Sequence, residues 1–138
     1  MSVQDAMSTS VIAVTAGEPA AHAADLLVEQ NLTGLPVVDP DGHVVGIVSD
    51  LDLIRALRHG VDLHETSVAE VMDARPLFVE PRTDLETVVD LMEERRVRRL
   101  PVCEGGRVVG VISRGDVLRV LHTRDSAAGQ APMAHCAG

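Results

Sequence analysis

The chain has 138 residues, a formal net charge of −9 and a hydrophobic content of 46%, with one Phe and no Trp or Tyr. This length suits one domain with a substantial aliphatic core. The acidic balance argues against nucleic acid or an anionic membrane as a partner, because both attract basic surfaces. No apolar run could span a bilayer and no secretory signal opens the chain, so we expect a cytoplasmic protein.

The first half of the chain predicts alternating helices and strands. Apolar residues at Ala20, Ala23 and Leu27 are spaced as one face of a helix, and the sequence Asp-Pro-Asp-Gly at 39–42 is typical of a hairpin turn. The predicted elements are a helical turn at 3–7, a strand at 11–14, a helix at 18–31, strands at 35–38 and 43–48, and a helix after Ser49.

The second half repeats the first. A shift of 65 residues aligns the Leu-Pro-Val of 35–37 with that of 100–102, and after a turn shorter by one residue the shift becomes 64. The repeated elements are a strand at 77–79, a helix at 84–96, strands at 100–103 and 107–112, and a helix from about residue 114.

We therefore divide the chain into repeat 1 at 1–62, repeat 2 at 63–123 and a tail at 124–138. The tail is small, polar and without pattern, so we expect it to be disordered. Neither repeat should bury enough surface alone. We expect the two to pack through their sheets into one α/β domain with pseudo-two-fold symmetry.

A seven-residue motif closes each predicted hairpin. Gly46 is followed by Ser49 and Asp52, and Gly110 by Ser113 and Asp116 at the same spacing. One interpretation is a capping box, in which the serine and the acidic residue bond the free N–H groups of a helix start. The other is a ligand site, since a helix N-terminus suits phosphate and a carboxylate can accept from ribose hydroxyls. The same geometry could serve both.

Two β-α-β-β-α units, each with Leu-Pro-Val opening its hairpin and Gly-x-x-Ser-x-x-Asp closing it, resemble a tandem pair of CBS domains, or Bateman module. The resemblance covers residues 3–121. It implies a regulatory module without catalysis that binds AMP, ADP, ATP or S-adenosylmethionine in clefts between the repeats, with no required cofactor. The alternative is a ligand-free interaction or stress-response protein. An unidentified regulated protein is a further partner that the resemblance implies.

The resemblance assigns residues to two clefts. In this family the serine of the motif meets phosphate, the aspartate meets ribose, and the other repeat supplies the adenine slot. Cleft A is expected to use Ser113, Asp116, Arg99, Arg114, Ile12, Ala13, Leu32 and Thr33. Cleft B is expected to use Ser49, Asp52, Leu77, Phe78, Val97 and Arg98.

Basic residues are expected to distinguish the clefts. Cleft A has Arg99 and Arg114 near its helix start, where the other repeat has Gly34 and Asp50. Arginine forks bind phosphate, so we expect cleft A to fill first with a phosphorylated ligand. The neighbouring Arg95 and Arg96 can equally be a solvated helix end.

The resemblance to isolated pairs of this family also implies a homodimer whose two copies meet through their helices. The helices at 85–97 and 53–57 offer more apolar face than one sheet is expected to cover, which predicts a homodimer with two-fold symmetry.

Other chemistry is not indicated. There is no Walker or Rossmann phosphate loop and no nucleophile elbow, so we expect no enzyme activity. The six histidines are His22, His43, His59, His64, His122 and His135. Their spacing is not that of metal ligands, so no metal is expected. Cys103 lies in an apolar strand and is expected in the core. A metal or redox role for His135 and Cys136 is left open as an alternative.

Overall fold

The computed structural model describes the backbone of residues 1–129 and the side chains of residues 1–124. A 3-10 turn at Val3–Asp5 opens the fold. The helices are α1 (Ala20–Gln30), α2 (Asp50–Arg58), α3 (Val68–Val71), α4 (Leu85–Arg95) and α5 (Arg114–Gly129). The strands are β1 (Val14–Thr15), β2 (Gly34–Val38), β3 (Val44–Ser49), β4 (Arg99–Glu104) and β5 (Arg107–Ser113). The predicted α/β class and the two-repeat architecture are confirmed.

Each repeat builds its own small sheet. In the first, β2 pairs parallel with β1 and antiparallel with β3; in the second, β4 pairs antiparallel with β5. The strand predicted at 77–79 is reduced to a single parallel bridge between Val79 and Val102. The next rung of that parallel ladder would need the N–H of residue 81, and Pro81 has none.

The two repeats exchange their opening segments. Val3 is buried in the core of repeat 2, and Val68 is buried in the core of repeat 1. Ser8 exchanges two backbone hydrogen bonds of 2.9 Å with Val111. In the equivalent place Asp73 exchanges bonds of 2.8 and 3.0 Å with Ile47. The packing units therefore do not coincide with the sequence boundary at 62/63.

The exchange of opening segments explains why each motif begins with glycine. A Cβ at Gly46 would lie 2.5 Å from the carbonyl oxygen of Asp73, and a Cβ at Gly110 would lie 2.8 Å from that of Ser8. A side chain at either position would force the paired backbone segments apart.

The pseudo-two-fold relation is visible where the hairpin turns meet. The N–H of Val44 donates to the oxygen of Gly106 at 3.1 Å, and the N–H of Val108 donates to that of Gly42 at 3.2 Å. These two bonds are equivalent under the 64-residue shift, so the local axis passes between the hairpins.

Helix α5 is longer than expected. It continues to Gly129, so the first six residues of the predicted tail are helical. Residues 130–138, which carry the remainder of that prediction, lie outside the described residues. Among the described residues no helix has the length and apolar character needed to cross a membrane.

Candidate functional site

Both repeated motifs form complete capping boxes. The Ser49 hydroxyl accepts the N–H of Asp52 at 3.2 Å, and a carboxylate oxygen of Asp52 accepts the N–H of Ser49 at 2.9 Å. Ser113 and Asp116 repeat the pattern with bonds of 3.1 and 2.9 Å. The capping interpretation is therefore confirmed, and each serine and aspartate stands at the first turn of a helix.

The second carboxylate oxygens differ between the two motifs. Oδ1 of Asp116 accepts from Arg119 at 3.1 Å. Oδ1 of Asp52 has no hydrogen-bond partner within the described residues, although Arg55 holds the equivalent position on α2. Asp52 thus keeps one oxygen available to accept from a hydroxyl of a ligand.

Cleft B is a cavity of about 450 Å³ beside the start of α2. That volume lies within the range of small-molecule sites, roughly 300–1,000 Å³. Ser49 and Asp52 form one wall, and Ile47, Leu77 and Val97 supply apolar surface. The site therefore offers an apolar slot next to a helix N-terminus.

Five arginines and three aspartates line cleft B. The arginines are Arg75, Arg95, Arg96, Arg98 and Arg99, and the aspartates are Asp50, Asp52 and Asp73. In a chain with twelve basic residues and a net charge of −9, this is a concentrated basic site. Guanidinium groups around a helix N-terminus favour an anionic ligand.

Arg75 and Asp73 form a fork at this cleft. Nε and Nη2 of Arg75 donate to the two carboxylate oxygens of Asp73 at 3.1 and 2.9 Å. These side-chain bonds lower the pKa of Asp73 and raise that of Arg75. Both side chains are well exposed, so the pair can open toward an anion at small cost.

Arg96 ends α4 in the left-handed conformation, at φ 55°, as Asn31 ends α1 at φ 53°. Asparagine adopts this conformation more readily than arginine does. Arg96 also lines cleft B. The left-handed residue ends the helix in both repeats, and in repeat 2 it also places an arginine at the edge of the cleft.

Cleft A is smaller, about 190 Å³. Ser113, Asp116, Ile12, Leu32 and Arg99 line it as predicted, and so do Ser8 and Ser10. The remaining lining residues are Gly34, Leu35, Pro36 and Val111. Ser8 and Ser10 hold the positions of Asp73 and Arg75, so the two cavities are equivalent sites with different polar residues.

Some predicted site residues lie elsewhere. Ala13 and Arg114 are not among the lining residues of cleft A, and Phe78 is not among those of cleft B. Thr33 lines cleft B instead of cleft A. Nε of Arg114 donates to the carbonyl oxygen of Val97 at 3.3 Å. This bond holds the Arg114 side chain against the segment that precedes β4.

The predicted charge difference between the clefts is wrong. Arg99 lines both cavities and Arg114 lines neither. Four further arginines, Arg75, Arg95, Arg96 and Arg98, line cleft B. The cause is that the residues following α4 face the start of α2 across the repeat interface. Sequence analysis also missed Arg75 and Asp73, although the 65-residue shift aligns the segment 73–75 with 8–10 beside the other motif.

One further cluster lies away from the clefts, at the turn between β2 and β3. Ligand atoms of Asp39, Asp41 and His43 lie within 4.8 Å of one another. Asp39 already accepts the N–H groups of Asp41 and His43, and the His43 bond is the main reason its pKa is lowered. The cluster stabilises the hairpin turn. His135 and Cys136 lie outside the described residues.

Cys103 is fully buried, as predicted. Burial, with a smaller contribution from Glu80, raises the pKa of its thiol to about 11. A neutral, inaccessible thiol is a packing residue.

Comparison with known proteins agrees with this geometry. YhcV of Bacillus subtilis, a CBS domain-containing protein, is 34% identical over 131 residues, which cover 94% of this chain and 91% of YhcV. The chloroplastic CBSX1 of Arabidopsis thaliana is 36% identical over 126 residues, and here the chain spans only 53% of the relative's length.

Solved structures share the fold, and two of them were determined with adenosine compounds. CBSX2 in complex with AMP superposes with a TM-score of 0.78 at 33% identity, covering 90% of this chain and 98% of CBSX2. The CBS domain pair of protein MJ0100, in complex with methylthioadenosine and S-adenosylmethionine, gives a TM-score of 0.78 at 25% identity and covers 88% and 98%. The CBS domain profile matches residues 3–59 and 68–123, and the chain belongs to the CBS-domain family.

Proposed function

We propose that the chain is a regulatory module that binds a phosphorylated adenosine compound in cleft B. The observation that carries the proposal is the combination, in one cavity of about 450 Å³, of a capped helix start, an apolar slot and five arginines. Binding of AMP by CBSX2, which has the same fold, supports the adenosine part.

Each group in cleft B has a place in this binding mode. Ile47, Leu77 and Val97 cover the faces of the base, and the free Oδ1 of Asp52 accepts from a ribose hydroxyl. The phosphate lies at the N-terminus of α2 among the arginines, where charge-assisted bonds are shorter and stronger than neutral ones. Any regulatory effect then requires that the ligand bind one arrangement of the repeats more tightly than another.

The test is a titration of AMP, ADP, ATP and S-adenosylmethionine by isothermal calorimetry, with thermal stability measured in parallel. The expected result is binding of at least one compound, with the tightest site lost in Asp52→Ala and kept in the exposed control Arg82→Ala. A folded wild-type chain that binds none of the four would contradict the proposal.

A second candidate function is an interaction protein whose role lies on its surface. It is favoured by large apolar side chains left exposed on equivalent helices: Leu51, Ile54 and Leu57 on α2, and Leu118 and Leu121 on α5. The helix α4 expected to contribute has Leu85, Val88 and Met92 buried in its own core. The α4 part of the prediction is therefore wrong, the α2 part is kept, and α5 takes the place of α4.

The partner proposed for this surface is a second copy of the chain. Two equivalent apolar helices in one pseudo-symmetric molecule give a self-complementary surface that suits a two-fold dimer. A regulated protein could bind such a dimer on its remaining faces, and ligand in cleft B would then modulate that contact. The two candidate functions are compatible, because the exposed apolar side chains do not line the clefts. The exception is Leu51, which lies at the edge of cleft B.

A further inference from the structure

Arg99 is the one arginine that lines both clefts. It begins β4, where its backbone pairs with Ser113 at the start of α5. The side chain is only partly exposed, and its Nε is buried without a hydrogen-bond partner among the described residues. Buried polar atoms normally have hydrogen-bond partners, so this guanidinium is placed to donate to an anion from outside the chain.

The equivalent position of repeat 1 has no such group. Gly34 pairs with Ser49 as Arg99 pairs with Ser113, and Gly34 also lines both clefts. Among the described residues, cleft A has no other basic side chain, whereas cleft B has four more arginines. Arg99 is therefore the guanidinium on which an anion in cleft A depends, and it also faces the arginine-rich cleft B.

We infer that Arg99 couples the two clefts, so that a phosphorylated ligand in one weakens the binding of a phosphorylated ligand in the other. The inference rests on the proposed binding of adenosine compounds. A guanidinium engaged by phosphate in cleft B is lost to cleft A, and the reverse holds to the same extent because binding linkage is reciprocal. A neutral adenosine compound has no phosphate to compete for Arg99, so it should bind each cleft independently of the other.

The consequence is selective filling. With cleft B occupied by a nucleotide, cleft A should accept an uncharged adenosine compound in preference to a second nucleotide. The protein would then respond to a combination of two metabolite classes, one charged and one neutral, instead of to the concentration of one.

The experiment compares AMP and adenosine as probes by isothermal calorimetry. Asp116→Ala disables cleft A and Asp52→Ala disables cleft B, so each variant gives the intrinsic affinity of the remaining cleft. In the wild type, the second AMP should bind about tenfold or more below the intrinsic affinity of its cleft, which corresponds to one lost charge-assisted bond. Adenosine should bind both clefts at their intrinsic affinities.

Two variants test the role of Arg99 itself. Arg99→Gln should remove the coupling, so that the second AMP binds at the intrinsic affinity of its cleft, measured in Arg99→Gln combined with Asp52→Ala or Asp116→Ala. Gly34→Arg should also remove the coupling, by adding a second guanidinium between the clefts and raising the affinity of cleft A for AMP. A side chain has room at residue 34, where a Cβ would make only ordinary contacts of 3.5 Å or more. Circular dichroism confirms that each variant is folded, and Gly34→Arg decides the matter if Arg99→Gln does not fold.

The outcomes separate this inference from the proposed function. Binding of two AMP molecules at the intrinsic affinities of their clefts, or a weakening of the second AMP that survives Gly34→Arg, overturns the coupling while leaving nucleotide binding intact. If neither AMP nor adenosine binds the wild type or any variant, the coupling falls together with the proposed binding of adenosine compounds.

Discussion

Gly34 and Arg99 hold equivalent positions at the boundary between the two clefts, each opposite the serine that begins the following helix. The repeats are alike in backbone and in capping geometry, yet one places no side chain at this boundary and the other places a cation. The two sites thus share backbone and capping geometry and differ in charge through a few side chains that leave the fold unchanged.

The two capping aspartates should separate structural from binding roles. Asp52→Ala and Asp116→Ala should each cost about 1 kcal/mol of unfolding free energy, because each removes the acidic half of a capping box. Asp52→Ala should also reduce the first AMP affinity at least tenfold, whereas Asp116→Ala should leave it within about twofold. Urea unfolding and calorimetry measure the two effects. Equal losses of AMP affinity would place the nucleotide outside cleft B.

Arg98→Ala should weaken AMP binding without affecting adenosine. The lost charge-assisted bond corresponds to roughly 1.5–3 kcal/mol, or about tenfold to a hundredfold in affinity. The matched control is Arg82→Ala, which removes an exposed arginine that lines neither cleft. The AMP affinity of the wild type should fall with added salt, and this dependence should be weaker in Arg98→Ala. Equal effects of Arg98→Ala on AMP and adenosine would mean that the arginine does not act on phosphate.

Gly46→Ala and Gly110→Ala should destabilise the fold by about 1–3 kcal/mol, because the new methyl group would overlap the exchanged backbone segment. Gly17→Ala is the control, since a Cβ there meets nothing within 4 Å. Thermal and urea unfolding report the difference. Stabilities of Gly46→Ala and Gly110→Ala that match the control would show that the contact of the opening segments is looser in solution.

The exposed apolar side chains of α2 and α5 should control assembly. The wild type should have a dimer mass by light scattering at micromolar concentration. Ile54→Asp and Leu118→Asp should yield monomers, because a charge buried in an apolar interface is costly. Val28→Asp, on α1 at 81% exposure, should remain dimeric. A monomeric wild type would exclude the proposed dimer.

The Cys103 thiol should resist alkylation in the folded chain at pH 8, because it is buried and its pKa is about 11. A raised thiol pKa stabilises the fold below the ordinary value of 9.0, and this contribution is lost as the pH rises toward 11. Iodoacetamide labelling with peptide mass spectrometry checks the prediction at this residue. Rapid labelling of Cys103 in the native state at pH 8 would contradict the buried position.

The sequence by itself determined the repeat, the α/β class, the order of nearly every element and the serine and aspartate of each motif. These features are local. The spacing of apolar residues selects helix or strand, and the capping box of Ser49 and Asp52 joins residues three positions apart. The strand missing at 77–79 has a local cause as well, the absent N–H of Pro81.

Only the tertiary structure decided which arginines face which cleft. The sequence places Arg99 next to repeat 2's own hairpin and Arg114 inside its motif, and that proximity suggested cleft A for both. In the fold, the residues after α4 lie against the α2 of the other repeat, and the segment bearing Asp73 and Arg75 pairs with β3 instead of with β5. These contacts join residues far apart in the chain through an exchange of opening segments. Periodicity and spacing carry no information about such long-range pairing, so the charge of each cleft followed from the packing of the repeats.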